Sequence, residues 1–289
     1  MTNDTPTRPE PTLAVVTVSY NSGRYLAEFL ASTAAATHDP SRMTVVVADN
    51  RSDDVGEARR TTEAAGAVFV DVGSNAGYGT AVNTAVAALP ASVRHVLVSN
   101  PDVVLSPGSL DVLVDTATAD RRIAAVGPAV LEPTGEVYPS ARAVPSLRTG
   151  LGHALFANLW PTNPWTRRYH RDGQLDQVRT AGWLSGACLL VRRDVFDELG
   201  GFDPGYFMYF EDVDLGWRIG RAGLRNVYQP EAEVTHVGAH STRDSSDAMR
   251  REHHRSAYRF LSRKYGAPWL LPLRVALRAG LAVRARLHG

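Results

Sequence analysis

Short runs of apolar residues alternate with amphipathic segments over the first hundred residues of the chain. The run LAVVTVSY (13–20) has the length and the β-branched content of a buried strand. Five residues that follow it recur at helical spacing, namely Tyr25, Leu26, Phe29, Leu30 and Thr33. The alternation repeats, with strands predicted at 43–49, 67–72 and 95–100 and with helices that end near residues 65 and 89. Apolar strands separated by helices predict an α/β fold with a mainly parallel central sheet and helices on both faces.

Polar residues follow each of the four predicted strands. The four groups are Ser19-Tyr20-Asn21, Asp49-Asn50, Gly73-Ser74-Asn75-Ala76-Gly77 and Asn100-Pro101-Asp102. Each group alone is typical of turns and helix caps. Because ligands of parallel sheets bind at the carboxyl ends of the strands, four such groups at one edge predict a binding site there.

Three acids lie close together in the segment from Gly182 to Gly216, which begins GWLSG. They are Glu211, Asp212 and Asp214. Like charges repel and are costly to bury unless a cation, a helix N-terminus or a transferred proton stabilises them. On a helix that begins near residue 211, positions 211 and 214 share a face and position 212 points elsewhere. The segment is therefore a candidate active site in which the acids have different roles.

Residues 133–181 lack clear periodicity and predict a long loop with helical pieces. Long ordered loops are often lids or binding segments. The aromatic residues Trp160, Trp165 and Tyr169 suit a sugar or a lipid-linked acceptor, and they equally suit a role in fixing this loop to the core.

Composition limits where the protein works. The single cysteine, Cys188, excludes an intramolecular disulfide and suits a reducing compartment, and we expect no secretory leader. Residues 1–11 are polar and proline-rich, which predicts a disordered leader. We place one domain at 12–242 and a helical basic extension at 243–289.

The formal net charge of +1 conceals a strong asymmetry. Residues 239–289 contain eleven basic and three acidic side chains, whereas residues 1–238 contain 20 basic and 27 acidic ones. Such a basic tail should attract nucleic acid or an anionic membrane. The interleaved Leu, Val, Ala and Arg of PWLLPLRVALRAGLAVRARL favour a helix lying on a membrane surface and not a nucleic-acid site. A terminal helix packed on the domain, with its arginines in water, is the alternative.

Known nucleotide motifs are incomplete or missing. GYGTAV (77–82) lacks the third glycine of a dinucleotide fingerprint, and the sequence has no GxxxxGK[ST] phosphate loop. Asp102 could bind Mg²⁺ or Mn²⁺, which prefer carboxylate oxygen, and His236 or His240 could supply a second ligand.

Six separated segments resemble family 2 inverting glycosyltransferases. They are LAVVTVSYNSGRYLAEFLAS, VVVADNRSDD, SNAGYGTAVN, NPDV, GWLSGACLLVRRDVFDELGGFDPGYFMYFEDVDLGWR and THVGAHS, in the family's order and over about residues 12–242. The resemblance implies a GT-A fold, which is a Rossmann-like sheet with helices on both faces, here followed by the helical basic tail. It also implies a divalent metal, Mg²⁺ or Mn²⁺.

The resemblance also assigns roles to individual residues. Tyr20 and Asn21 would line the nucleotide pocket, Asp49 would accept the N3–H of the base, and Asn75 and Gly77 would lie against the nucleoside. Asn100 replaces the first acid of the usual DxD motif, while Asp102 and His236 would bind the metal. Trp183, Leu184, Ser185 and Gly186 would form the acceptor side, with Asp212 as general base supported by Glu211 and Asp214.

YPSAR, NPW, GWLSG and CLLVRR resemble one branch of this family more narrowly. The resemblance implies a dTDP-rhamnose donor and a polyprenyl-diphosphate-linked GlcNAc acceptor, used at the inner face of the cell membrane. A different donor or acceptor stays open, as does a homo-oligomer. A sugar-phosphate nucleotidyltransferase would need a basic phosphate loop between Leu13 and Ser32, where none occurs. A carbohydrate-binding module without catalysis does not explain the acids at 102, 211, 212 and 214.

Overall fold

A computed structural model describes residues 9–146, 175–238 and 247–287 of the chain. The strands of this part are β1 (Leu13–Ser19), β2 (Met43–Asp49), β3 (Val68–Asp71), β4 (His95–Ser99), β5 (Val103–Leu105), β6 (Ile123–Leu131), β7 (Val137–Tyr138), β8 (Ala141–Arg142), β9 (Arg179–Ala181), β10 (Trp183–Leu184), β11 (Cys188–Arg192) and β12 (Arg225–His236). The α-helices are α1 (Gly23–Thr33), α2 (Val55–Ala64), α3 (Tyr78–Ala87), α4 (Ser109–Ala119), α5 (Arg193–Glu198), α6 (Glu211–Arg221), α7 (Asp247–Lys264) and α8 (Leu271–Leu287). The described residues do not include the aromatic residues that were predicted to bind the acceptor, Trp160, Trp165 and Tyr169, or the candidate metal ligand His240.

Most of the strands form one mainly parallel sheet in the order β3-β2-β1-β4-β11-β6-β12-β5. Strands β1 to β4 are parallel to one another, and β6 is parallel to β12. Among the strands in this order, β11 is antiparallel to its neighbours β4 and β6, and β5 is antiparallel to β12. Strands β7 and β9 also belong to the sheet and pair antiparallel with β6 and β12. The predicted strands and helices of the first hundred residues are confirmed, although β3 is two residues shorter than expected.

Helices cover both faces of the sheet, as the uninterrupted apolar strands predicted. All seven residues of β1 are buried, and successive ones point to opposite faces. Ala14 and Val16 belong to a core cluster shared with α3 and α6, whereas Leu13 and Val15 belong to a second cluster shared with α1 and α4. The carboxyl ends of β1 to β4 are thus left at one edge between two buried layers.

The two C-terminal helices differ in their contacts with the body. The side chain of Phe260 in α7 is fully buried in a cluster with Tyr206 and Val213, and the hydroxyl of Ser256 donates a 2.9 Å hydrogen bond to the carbonyl of Met208. Helix α8 packs on α7. The predicted domain boundary at residue 242 stays a prediction, with α7 in close contact with the body beyond it.

Within the described residues, no helix has both the length and the apolar character that crossing a membrane requires.

Candidate active site

Asp49, at the end of β2, organises the loop that follows it. Its carboxylate is fully buried and accepts hydrogen bonds from the backbone amide and the hydroxyl of Ser52, at 2.9 and 2.6 Å. The Ser52 hydroxyl also accepts the amide of Asn21 at 3.0 Å. The loops after β1 and β2 are therefore joined. Asn21 has a φ of 54°, a left-handed value that asparagine tolerates better than most residues.

Asn50 and Asn75 join the loops after β2 and β3. The amide nitrogen of Asn50 donates to the side-chain oxygen of Asn75 at 2.9 Å, and its amide oxygen accepts the backbone N–H of Ala76 at 3.0 Å. Tyr20 lies on the same edge with its side chain half exposed. The structure thus brings together Tyr20, Asn21, Asp49 and Asn75 at one edge, and their contacts with a nucleotide stay predictions.

Gly77 connects this edge to the acid-rich segment. Its φ is 87°, and a Cβ added there would lie 2.4 Å from the carbonyl oxygen of Phe207. The next residue, Tyr78, donates its backbone N–H to that same oxygen at 3.1 Å. A glycine is required here because the chain adopts a left-handed conformation directly against a neighbouring backbone.

The side chain of Tyr78 reaches Gly186, which in turn contacts Asp212. The Tyr78 hydroxyl donates to the carbonyl of Gly186 at 2.9 Å, and the Gly186 amide donates to Oδ2 of Asp212, also at 2.9 Å. Burial, together with the charges of Glu211 and Asp212, raises the pKa of Tyr78 well above its usual value, so its hydroxyl stays protonated as a donor. Sequence reasoning did not identify Tyr78, although it lies within the quoted GYGTAV.

Asp212 is held by two backbone amides at the first turn of α6. Besides the amide of Gly186, the amide of Val213 donates to its Oδ1 at 2.7 Å. Burial raises the pKa of Asp212, while these N–H donors and the positive charge of Arg142 act in the opposite direction. The amides favour the ionised form, and each oxygen keeps a lone pair for a further proton or ligand.

Glu211 is more deeply buried than Asp212. Its Oε2 has no hydrogen-bond partner among the described residues. Burial first, and the negative charge of Asp212 second, raise the pKa of Glu211 to about 8. A carboxyl group with this pKa binds a proton at neutral pH, and the two amides that donate to Asp212 favour the negative charge on that member of the pair.

Asp214 has an entirely different environment from its two neighbours. Its side chain is 0% exposed, and its two oxygens accept hydrogen bonds from Arg218 at 2.6 Å and from Arg263 of α7 at 2.8 Å. The predicted contact of Asp214 with substrate stays a prediction, and its observed contacts attach α7 to α6.

Asp102 and His236 lie side by side on the far part of the same edge. Oδ1 of Asp102 is 3.0 Å from Nε2 of His236, and both side chains are less than one-fifth exposed. The carbonyl of Asp102 accepts the amide of Val237 at 2.9 Å, which fixes β12 beside it. Among the described residues, no group of three or more potential metal ligands forms. A carboxylate and an imidazole together still fit a divalent cation that takes its other ligands from phosphate and water.

Asn100, which was predicted as a replacement for the first acid of a DxD motif, donates its backbone amide to the carbonyl of Ala187 at 2.9 Å. This bond joins the end of β4 to the residue that follows Gly186. Asn100 thereby connects the segment of Asp102 to the segment of Gly186, and its contact with substrate stays a prediction.

The predicted acceptor side, Trp183 to Gly186, is divided between core and site. Leu184 is buried and packs on Gly127, so its side chain contributes to the core, and its contact with substrate stays a prediction. Trp183 donates its indole N–H to the carbonyl of Ala143 at 3.2 Å and packs against the cluster of Tyr206, Val213 and Phe260. Ser185 donates its amide to the carbonyl of Ser140 at 2.7 Å.

The sequence of the whole domain is similar to known enzymes. Residues 9–259 match the family described as "Glycosyltransferase like family 2". Two Mycobacterium tuberculosis proteins, from strains CDC 1551 and H37Rv, are named N-acetylglucosaminyl-diphospho-decaprenol L-rhamnosyltransferase. Each is 45% identical over 284 residues, which is 95% of this chain and 92% of the relative. The rhamnosyltransferase WbbL of Escherichia coli K12 is 42% identical over 82 residues, covering 28% of this chain and 31% of that protein.

Solved structures of low sequence identity share the fold. The mannosyltransferase PcManGT from Pyrobaculum calidifontis, in complex with GDP-Man and Mn²⁺, superposes with a TM-score of 0.62 at 17% identity over 95% of this chain and 76% of that one. GalNAc-T7 with UDP, GalNAc and Mn²⁺ has a TM-score of 0.59 at 16% identity, and the chain spans 55% of its length. The predicted GT-A fold is confirmed.

Proposed function

The chain belongs to glycosyltransferase family 2, and from that premise we propose that it transfers L-rhamnose from dTDP-rhamnose to an N-acetylglucosaminyl-diphospho-polyprenol. The observation that supports this choice most directly is the 45% identity to the two mycobacterial rhamnosyltransferases, which extends over nearly the full length of both chains.

Asp212 is our proposed general base. In an inverting transfer, the base removes the proton of the acceptor hydroxyl while that oxygen attacks the anomeric carbon and the nucleoside diphosphate leaves from the opposite face. The amides of Gly186 and Val213 hold the Asp212 carboxylate in one orientation. A lone pair on either oxygen can then accept the proton, and no movement of α6 is needed.

Glu211 would assist by staying neutral. Two adjacent buried carboxylates cannot both ionise without a large electrostatic penalty, so a proton on Glu211 allows Asp212 to bear the charge. Tyr78 would support the same arrangement, because its hydroxyl fixes the peptide of Gly186 that donates to Asp212. Both residues are positioning residues in this proposal.

Asp102 and His236 would bind a divalent cation, Mg²⁺ or Mn²⁺, whose positive charge offsets the charge that develops on the leaving diphosphate. Oδ1 of Asp102 and Nε2 of His236 lie 3.0 Å apart, a separation at which both atoms could bind one ion. Asn100 would lie beside them against the diphosphate. The requirement is testable by removing the cation with a chelator and restoring it.

The nucleotide would lie along the carboxyl ends of β1, β2 and β3. Asp49 remains our proposed acceptor for the N3–H of the base, since each of its oxygens has a second lone pair beyond the bonds from Ser52. Tyr20 and Asn21 would flank the base, and Asn75 and Gly77 would contact the nucleoside. The bonds from Asn50 hold the loop of residues 73–77 in place.

The acceptor lipid implies work at a membrane surface. A polyprenol remains in the bilayer, so the enzyme would dock there from the cytoplasmic side with its basic C-terminal tail. Trp269, Leu271 and Val275 are exposed at and near the start of α8, where apolar side chains can insert between lipid head groups. Peripheral attachment of this kind is our proposal for its localisation.

The proposal is tested by product formation. The full chain is incubated with Mg²⁺ or Mn²⁺, a prenyl-diphospho-GlcNAc and one donor at a time from dTDP-rhamnose, UDP-glucose and UDP-GlcNAc, and products are identified by mass spectrometry. We expect a mass increase of one deoxyhexose with dTDP-rhamnose only. Transfer from another donor, or none from dTDP-rhamnose, would reject the assigned specificity.

A further inference from the structure

Arg142 lies beside the Asp212 centre on a short strand ribbon. Strand β8 pairs antiparallel with β10, so Arg142 lies opposite Trp183, and its carbonyl accepts the amide of Gly182 at 2.8 Å. The chain from Gly182 leads within four residues to Gly186, whose amide donates to Asp212. The ribbon therefore places Arg142 on the same side of the site as the proposed base.

Among the described residues, the guanidinium of Arg142 is held by a hydrogen bond from Nε and not from its terminal amines. Its Nε donates to the carbonyl of Pro139 at 2.7 Å, and its central carbon lies 5.4 Å from the ring centroid of Tyr138. In the described part of the chain, its two terminal amines have no hydrogen-bond acceptor and no carboxylate partner. A pre-oriented guanidinium with a free fork matches the geometry of a phosphate group.

Other arginines near the site are already engaged. Arg179 donates to the carbonyl of Ala141 at 2.8 Å and lies over the ring of Tyr228, while Arg218 and Arg263 bind Asp214. The positive charge of Arg142 is also close enough to Asp212 to lower its pKa. Arg142 is thus a cation of the active site that the protein's own described acids do not neutralise through direct contact.

We propose that Arg142 binds a phosphate of the acceptor's diphosphate group. This inference rests on the proposed function, in which the acceptor is a sugar diphosphate. One sugar ring separates the reacting hydroxyl from that diphosphate, so a cation that binds the phosphate has to lie near the base. The donor's diphosphate would lie instead beside Asp102 and His236, at the ends of the parallel strands.

A diphosphate from either substrate could bind a guanidinium, and the experiment separates the two sources. The full chain and its Arg142→Gln and Arg142→Lys variants are compared by calorimetry with farnesyl diphosphate and with dTDP, and by the KM of acceptor and of donor. We expect Arg142→Gln to weaken farnesyl diphosphate binding and to raise the acceptor KM about 10- to 100-fold, the range for a lost charge-assisted hydrogen bond. Affinity for dTDP and the donor KM should not change.

Two further variants show whether the effect is specific. Arg142→Lys should restore part of the affinity, because it retains the charge and loses only the fork. Arg122→Gln removes an exposed cation directly before β6 and should leave the binding affinities and both KM values unchanged. Melting temperatures show whether the variants fold.

Two results would overturn the inference. Weaker binding of dTDP by Arg142→Gln, with unchanged binding of farnesyl diphosphate, would show that Arg142 binds the donor. Unchanged affinity for both ligands would show that Arg142 binds neither diphosphate. Failure of the proposed function is distinguishable, because the calorimetric comparison requires no transfer of sugar.

Discussion

At the scale of single residues, three acids in four positions have three different environments. Glu211 is buried and its Oε2 has no partner in the part of the chain that the structure describes, Asp212 accepts two backbone amides, and Asp214 binds two arginines. Successive helix positions point about 100° apart, so neighbours in sequence enter different surroundings. The clustered charges therefore do not form one site, and each acid has its own set of contacts.

The raised pKa of Glu211 makes stability depend on pH. In the folded protein Glu211 has a pKa of about 8, so it keeps its proton until the pH approaches that value. The unfolded chain releases the proton near the ordinary pKa of glutamate. The contribution of protonated Glu211 to the free energy of unfolding is thus complete below the pKa of the unfolded chain. It is lost as the pH rises through the pKa of the folded protein. We expect Glu211→Gln to melt at a higher temperature relative to the wild type at pH 9 than at pH 5.

Thermal unfolding between pH 5 and 9 measures this effect. Glu198→Gln is the matched control, because Glu198 is exposed and should show no such trend. Parallel pH curves for wild type and Glu211→Gln would contradict the assignment of a buried, protonated Glu211.

At the scale of elements, helix α6 is held from both ends of its first turn. The two residues before it, Tyr209 and Phe210, have φ values of 67° and 69°, which are unfavourable for side chains of this size. Asp214 then connects the helix to Arg263 of α7. The strained entry is retained because contacts from several elements fix the helix in place.

Breaking this connection should destabilise the protein strongly. Asp214→Ala would leave Arg218 and Arg263 without their shared carboxylate, and loss of one partner from a buried ion pair costs about 3–5 kcal/mol. We expect the free energy of unfolding, measured in urea, to fall by about that amount. Arg263→Ala should cost less, because Arg263 is 42% exposed and Asp214 keeps Arg218. An equal or smaller loss for Asp214→Ala would contradict the structural role.

The same elements show what sequence can predict. Strands β1, β2 and β4 were predictable because burial on both faces requires unbroken apolar runs, and the start of α6 was predictable from its acids. The two-residue strands β8 and β10 were not, since two residues have no periodicity. The positions of Arg142 and Tyr78 in the site depend on pairing between distant segments, which no local pattern specifies. The same holds for the different partners of the three acids.

At the scale of the whole molecule, charge and exposed apolar surface coincide at the C-terminus. The last fifty-one residues contain eleven basic side chains. Trp269, which precedes α8, is 80% exposed, and Leu271 and Val275 lie four residues apart on the exposed side of the helix. A helix with an apolar outer stripe and arginines suits an anionic bilayer.

Vesicle binding tests this surface. We expect the full chain to sediment with vesicles of phosphatidylglycerol and phosphatidylcholine at low salt, and less at high salt. A Trp269→Ser, Leu271→Ser, Val275→Ser variant should bind at least about 10-fold more weakly, because three apolar side chains no longer enter the interface. Val68→Ser, at an exposed position on β3, is the control. Equal binding by the triple variant would reject the surface.

Rhamnosyl transfer by the Asp212→Asn enzyme decides whether Asp212 is the general base of this glycosyltransferase. General base catalysis contributes about 10²- to 10⁴-fold, so kcat for rhamnosyl transfer should fall by that factor while calorimetry shows unchanged donor affinity. Turnover by Asp212→Asn within a few-fold of wild type would show that Asp212 is not the general base.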